Sequence, residues 1–264
     1  MRADPLARPR LSIIIPARND AAALGRTLDY LESTGIAPRV ELIVAASGDG
    51  EGTTNAVGER ARLLWPGAST RAALMNAGAR LAGGDVLLFL HADSFPPADS
   101  VELVERALES ERVVGGAFEH LFAEPVWSLR AITGINRVRY RLTRNYYGDQ
   151  GIFVRADVFH RLGGFKDWAL MEDLDLSQRL KRTGRTVLLR APMRTSGRRF
   201  LARGPWRTFF FIVRLLFCHT LGLDTQRYAD RWRGPADRAP GSPWIGRDTR
   251  VEQRVTRRAK EPSP

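Results

Sequence analysis

Asp93, Glu172 and Asp173, with the arginine pair Arg198 and Arg199, are the groups whose type and setting suit chemistry. Asp93 ends the segment Leu90-His91-Ala92-Asp93 just after an apolar run, so its carboxylate can reach a cleft where a divalent cation bridges protein and diphosphate. The competing reading is a cap for a helix starting near Pro97, or a solvated loop acid. His91, taken alone, is as well explained by packing or hydrogen bonding as by metal ligation. Glu172 and Asp173 open a helix directly after the aromatic stretch Phe165 to Trp168 and can project from its N-terminus into a pocket; acids also gather there because of the helix dipole. Asp175, two residues on, falls on a different face, so only one of Asp173 and Asp175 should line a site. Arg198 and Arg199 follow Thr195-Ser196-Gly197 and offer planar donors to a departing diphosphate, or else form a solvated basic loop.

These groups need a scaffold, and the chain supplies one in repeated form. Leu11 to Ile15 is a short β-branched run ended by Pro16, and Asn19-Asp20 precede Leu24, Leu28 and Leu31 at helical spacing. Glu41 to Ala45 reads as a second strand, followed by the Gly-rich loop 46–52, a helix from about Thr53 and a short strand at Arg62 to Leu64. Thr70 to Leu81 has Leu74, Gly78 and Leu81 on one helical face, and the wholly apolar Val86 to Leu90 reads as a buried parallel strand. Three βα units in succession imply a right-handed parallel sheet, and in such sheets ligands sit beyond the carboxyl ends of the strands. Here those are the loops starting at Pro16, Ala46 and His91.

The second half has another rhythm: strands at Val113 to Phe122, Ile152 to Arg155 and Thr186 to Leu189, with helices over Val126 to Leu142, Asp157 to Leu162 and Met171 to Thr183. Gly163-Gly164 and Gly184 close the last two helices. Thr208 to Leu223 is the most apolar helical segment. Arg214 and His219 interrupt it, and a bilayer span takes about 20 predominantly apolar residues, so it is not read as transmembrane.

With 44% hydrophobic and 27% charged residues the composition is globular, and the length suits one α/β domain with short tails. Cys218 is the single cysteine, which excludes an intramolecular disulfide and a cysteine-built zinc site and suits a reducing, cytosolic setting. The net charge of +12 suggests nucleic acid or an anionic membrane. From Arg194 to Pro264, however, 16 Arg and Lys face 6 Asp and Glu, so most of the excess lies in the last quarter. Only Lys166, Lys181 and Lys260 are lysines. Such arginine usage looks like a compositional bias of the genome, and nucleic acid is discounted as a partner. The first ten residues contain no apolar core, so neither a signal peptide nor an N-terminal anchor is expected.

Together, Leu11 to Asp20, Met75-Asn76-Ala77-Gly78, Phe89 to Asp93, Gly148-Asp149-Gln150-Gly151, Gly163-Gly164-Phe165, Met171-Glu172-Asp173 and Thr195 to Arg199 resemble the family 2 glycosyltransferases, above all a short bacterial branch known as radical-SAM/selenodomain-associated transferases. The resemblance spans residues 11–223. It implies a GT-A fold, an α/β Rossmann-like mixed sheet of the nucleotide-diphosphosugar transferases flanked by helices, with a C-terminal amphipathic helix. The domain reading is a tail at 1–10, a GT-A domain at 11–200, a helical and membrane-apposed segment at 201–233, and a disordered basic tail at 234–264.

By the same resemblance Pro16, Ala17, Arg18, Asn19, Asp20, Arg71 and Asn76 line the donor nucleotide pocket. Asp93 holds Mg²⁺ or Mn²⁺, with His91 standing where many relatives carry a further acid. Asp173 is the general base of a single, inverting displacement, and Glu172 supports the acceptor or orients Asp173. Asp149 and Gln150 contact sugar or acceptor, while Arg198 and Arg199 stabilise the leaving nucleoside diphosphate. Relatives usually end the second strand with an acid that reads the base, where this chain has Ala45-Ala46; Asp49 and Glu51 are the nearby substitutes. The implied partners are a nucleotide-sugar donor and a small, lipid or carrier-linked acceptor. The expected location is cytoplasmic, with peripheral contact to the anionic inner face of the membrane. The alternative is a non-catalytic nucleotide-sugar-binding or scaffold protein with a degenerate site.

Overall fold

The computed structural model describes residues 10–68 and 70–232, so residues 1–9 of the expected N-terminal tail and the whole of the 234–264 tail lie outside the described residues. The first half runs β1 (Leu11–Arg18), α1 (Ala21–Ser33), β2 (Glu41–Ser47), α2 (Gly50–Val57), β3 (Arg62–Leu64), α3 (Arg71–Leu81) and β4 (Val86–Phe89). Then follow β5 (Ser94–Phe95), α4 (Ser100–Leu108), β6 (Val113–Phe122), α5 (Trp127–Thr143), β7 (Ile152–Arg155), α6 (Ala156–Arg161), α7 (Glu172–Thr183), β8 (Arg185–Thr195), α8 (Arg198–Arg203), α9 (Pro205–Thr220) and α10 (Ala229–Trp232).

The strands form one sheet in the order β3-β2-β1-β4-β7-β6-β8-β5. The first four positions are parallel, as three βα units require. β7 then joins β4 antiparallel, β6 joins β7 antiparallel, and β8 runs parallel to β6, which makes the sheet mixed. Side-chain alternation sends Ile13, Ile15 and Leu88 to one face under α1 and α4, and Ile14, Leu87 and Phe89 to the other under α3, α6 and α7. Gly78 is where α3 crosses β1: a Cβ there would lie 2.5 Å from the Ile14 side chain. Glycine therefore lets the helix sit close to the strand.

Three of the boundaries that differ from the sequence expectation have a clear physical reason, whereas the last long helix is simply shifted to Pro205–Thr220. β1 does not stop at Ile15. Leu90 N donates to Ile14 O, so Ile14 and, two residues on, Pro16 face the β4 side, where pairing has ended; the N–H that proline lacks has no partner to lose. α2 starts at Gly50 rather than near Thr53 because Asp49 caps it, accepting from Gly52 N at 3.1 Å. β8 continues past Leu189 to Thr195, carried through Pro192 by an irregularity in its pairing with β6.

α9 packs Leu215 and Cys218 inward, yet Phe210, Val213 and Phe217 stand exposed on its outer side. The helix is amphipathic as expected, its outer side mixing these apolar residues with exposed Arg207, Arg214 and Thr220. Among the described residues no helix is long and apolar enough to cross a membrane.

Candidate active site

The carboxyl ends of β1, β2 and β4 converge on one cleft, and local backbone devices shape its rim. Asn19 adopts a left-handed φ of 50°, and its Oδ1 accepts from Asp49 N at 2.9 Å, tying the loop after β1 to the loop after β2. Ala45 and Ala46 are buried, so no side chain at the end of β2 reaches the cleft as an acid would. Asp49, the nearest substitute, is the α2 cap.

Two acids at the start of α7 meet the start of α3. Met171, just before them, has φ 67°, a strained left-handed conformation for a non-glycine that turns the chain into the helix. Arg71 Nε donates to Glu172 Oε1 at 2.6 Å, and its Nη2 lies 3.7 Å from Asp173 Oδ2. Arg71 Nη1 is 3.0 Å from His91 Nε2. Burial, and then the nearby cations Arg71 and Arg199, push the His91 imidazole well below its usual pKa, which keeps it neutral. Its Nε2 thus meets the Arg71 guanidinium, the hydrogen-bonding role that the sequence also allowed for His91.

Asp173 is held by two backbone donors, Gly148 N to Oδ2 at 2.7 Å and Leu174 N to Oδ1 at 2.7 Å. Gly148 approaches so closely that a Cβ would lie 2.5 Å from His91 Nε2. Asp175 points elsewhere, pairing with Lys166 and Arg179 at 2.7 Å each, so only one of the two aspartates faces the cleft.

Asp93 follows β4, and it is not the helix cap: α4 begins at Ser100 behind Asp99. Instead Asp93 O accepts from Ser196 N at 3.1 Å, and the adjacent Ser94 pairs with Thr195 of β8. This clamp swings α8 over the cleft and sets Arg198 between two carboxylates, in close contact with Asp20 and 3.6 Å from Asp93. Burial is the largest influence on Asp93 and raises its pKa; Arg198 opposes it and Asp20 adds to it. Arg199 stacks on Trp232, 5.0 Å from its ring centre.

On the far wall Asp149 Oδ2 lies 3.6 Å from His120 Nε2, and both His120 nitrogens and Asp149 Oδ1 are buried without hydrogen-bond partners. The Arg139 guanidinium lies over both the Tyr140 and Tyr147 rings, 4.5 and 4.2 Å from their centres.

Two expected ligand contacts are engaged in holding the protein together. Asn76 donates to Phe165 O at 2.8 Å and accepts from Phe165 N at 2.9 Å, so it clamps the Gly163-Gly164-Phe165 turn rather than presenting its amide to a nucleotide. Gln150 is fully buried, accepting from Tyr147 N at 3.0 Å and donating to Phe118 O at 2.9 Å, and its amide faces the turn rather than an acceptor. Pro16 and Ala17 are buried within β1. The sequence reading missed His120, which carries no local signal inside an apolar strand. It also missed Glu124, which accepts from Ser196 Oγ and Gly197 N and so fixes the link into α8.

Among the described residues no three His, Cys, Asp or Glu side chains group tightly enough to hold a metal unaided. Asp20 and Asp93 do converge on one cationic group. One or two carboxylates completed by phosphate oxygens is the donor set that Mg²⁺-type ions take, so the residues present fit such an ion together with a diphosphate.

An open mixed sheet, with three parallel βα units and a carboxylate-lined cleft beyond the ends of β1 and β4, is the GT-A class of α/β fold. Residues 12–162, more than half of the chain, match the family described as Glycosyl transferase family 2, and the chain belongs to that family. A search of curated protein sequences finds no match. Among solved structures the chain is similar to mannosyltransferase PcManGT from Pyrobaculum calidifontis in complex with GDP-Man and Mn²⁺, with a TM-score of 0.61 and 20% identity over 90% of this chain and 67% of that one. At that identity the likeness is one of fold.

Proposed function

We propose that the protein is a nucleotide-sugar-dependent glycosyltransferase that inverts the anomeric centre, with Asp173 as general base. The observation that carries this reading is the fixed carboxylate of Asp173, oriented by Gly148 N–H and Leu174 N–H beside the Arg71–Glu172 pair at the cleft. In the proposed step an acceptor hydroxyl oxygen attacks the anomeric carbon from the face opposite the leaving group while Asp173 takes its proton. The bond from the anomeric carbon to the diphosphate oxygen breaks with its electron pair, leaving the nucleoside diphosphate. Arg198 and Arg199 turn from protein partners towards that growing negative charge. Asp93, with Asp20 beside it, is the proposed ligand for Mg²⁺ or Mn²⁺; when bound, the ion screens the diphosphate charge. GDP-Man and Mn²⁺ in the structural neighbour support this reading.

Arg18, Asn19 and Asp20 form the rim on which the nucleotide would lie, with the β1 backbone at Pro16 and Ala17 beneath it. Asp149 is the proposed acceptor contact. The exposed apolar side of α9 favours a lipid or carrier-linked acceptor, presented by peripheral contact with an anionic cytoplasmic membrane face.

Calorimetric titration with UDP, GDP, dTDP and CDP, with and without Mn²⁺ or Mg²⁺, tests the reading in wild type and Asp93→Ala. Metal-dependent binding of one nucleotide, weakened in Asp93→Ala, is expected. Asp173→Asn should keep that binding and lose transfer by about 10²–10⁴-fold. Absence of binding to all four nucleotides would instead support the non-catalytic scaffold.

A further inference from the structure

A cavity of about 450 Å³ lies between the C-terminal end of α5 and the first half of β8, lined among others by Arg141, Arg144, Arg185, Arg190, Glu119 and Tyr146. Tyr140, whose ring the far wall described above shares through Arg139, lines it too, while the cavity's arginines lie further from Asp93. Arg185 and Arg190 precede Thr195, the residue paired with Ser94 beside Asp93, by ten and five positions on the same strand, roughly 30 and 16 Å at the usual rise per residue.

Its electrostatics are unbalanced. Glu119, the carboxylate in the lining, is already shared between Arg141 at 2.8 Å and Arg137 at 3.0 Å. Arg144, Arg185 and Arg190 have no carboxylate within ion-pair distance among the described residues. Burial, followed by Arg144 and Arg182, pushes the neighbouring Lys181 below its usual pKa, as an excess of positive charge would. The Tyr146 ring and Leu188 supply an apolar floor, and Thr186 adds a hydroxyl. Arg144, Arg185 and Arg190 border one small-molecule-sized hollow, where a bound anion would offset their shared positive charge. Their planar forks match phosphate oxygens two at a time.

We infer that this cavity is a second ligand site, separate from the donor cleft, that takes a small phosphate- or diphosphate-bearing molecule without a metal. The concave shape suits a soluble ligand better than the flat surface of a bilayer.

The test titrates inorganic pyrophosphate into the full chain by calorimetry, in chelator-treated buffer at about physiological ionic strength, where long-range surface attraction is largely screened. Saturable binding to wild type is expected, weakened at least tenfold in the double variant Arg185→Gln/Arg190→Gln and unchanged in Arg198→Ala. Both exchanged arginines are exposed, so the double variant should fold, and its circular dichroism and melting curve check that it does. No binding to wild type overturns the inference, as does binding that survives the double change or disappears in Arg198→Ala. Capture by phosphatidic acid vesicles without pyrophosphate binding overturns it as well. Failure of the proposed transferase activity shows separately, as absent metal-dependent nucleotide binding, and leaves this outcome untouched.

Discussion

Arg71, the first residue of α3, and Glu172, the first residue of α7, are joined at 2.6 Å through Arg71 Nε and Nη2, both meeting the same carboxylate oxygen. The Glu172 side chain is fully buried, and burial raises its pKa despite the opposing charge of Arg71. The pair locks α7, the helix that carries Asp173, against the start of α3. Asp173 therefore owes its position to an arginine a hundred residues away.

Removing Arg71 strands a buried carboxylate. Arg71→Ala should destabilise the fold by roughly 3–5 kcal/mol, whereas Arg71→Ala/Glu172→Gln should recover a substantial part of that. Urea unfolding of both variants and wild type decides the matter. Equal losses in the single and double variants would mean that the pair does not couple the helices.

Gly148 has no room for a side chain. Gly148→Ala should push His91 or Asp173 aside, costing about 1–3 kcal/mol and lowering the rate of transfer more than it lowers donor affinity. Denaturation and single-turnover assays measure the two effects; an alanine variant of full rate would show that the close approach is dispensable.

Asn76 should behave as a clamp. Asn76→Ala removes both hydrogen bonds to Phe165 and leaves its backbone groups unsatisfied, an expected loss of about 1–3 kcal/mol for each stranded group. Nucleotide affinity, measured well below the lowered melting temperature, should stay within about twofold. A large loss of affinity in a stable variant would restore Asn76 to the nucleotide pocket.

His120 should make the fold sensitive to acid. Burial lowers its pKa, against Asp149 and with Arg139, so on acidification below about pH 6.5 the unfolded chain takes up a proton that the folded chain refuses. Stability present above that pH is lost as pH falls towards the folded-state pKa, at a slope of up to about 1.4 kcal/mol per pH unit. Urea midpoints at pH 7.5 and 5.5 should diverge less in His120→Asn than in wild type, and an unchanged divergence would clear His120 of the effect.

The amino-acid pattern alone determined the strands and helices of the first half. Short, mostly apolar runs at 11–15, 41–45 and 86–90 bury both faces inside a parallel sheet, and local turn residues punctuate them. It also placed Asp93 and Glu172-Asp173 at element ends, because apolar periodicity stops there. Family motifs then assigned each of them a role.

What only the tertiary structure decided are the partners. Arg198 lies 178 residues from Asp20 and reaches it because β8 runs to Thr195 and pairs with β5 beside Asp93. His120 and Asp149 face each other from a strand and a turn that share no local pattern. Asn76 and Gln150 resemble ligand contacts in sequence and serve as clamps in space. A side-chain amide or guanidinium bonds to whatever group the strand order brings within about 3 Å, and that order is set by packing the whole sheet, not by any window of neighbouring residues.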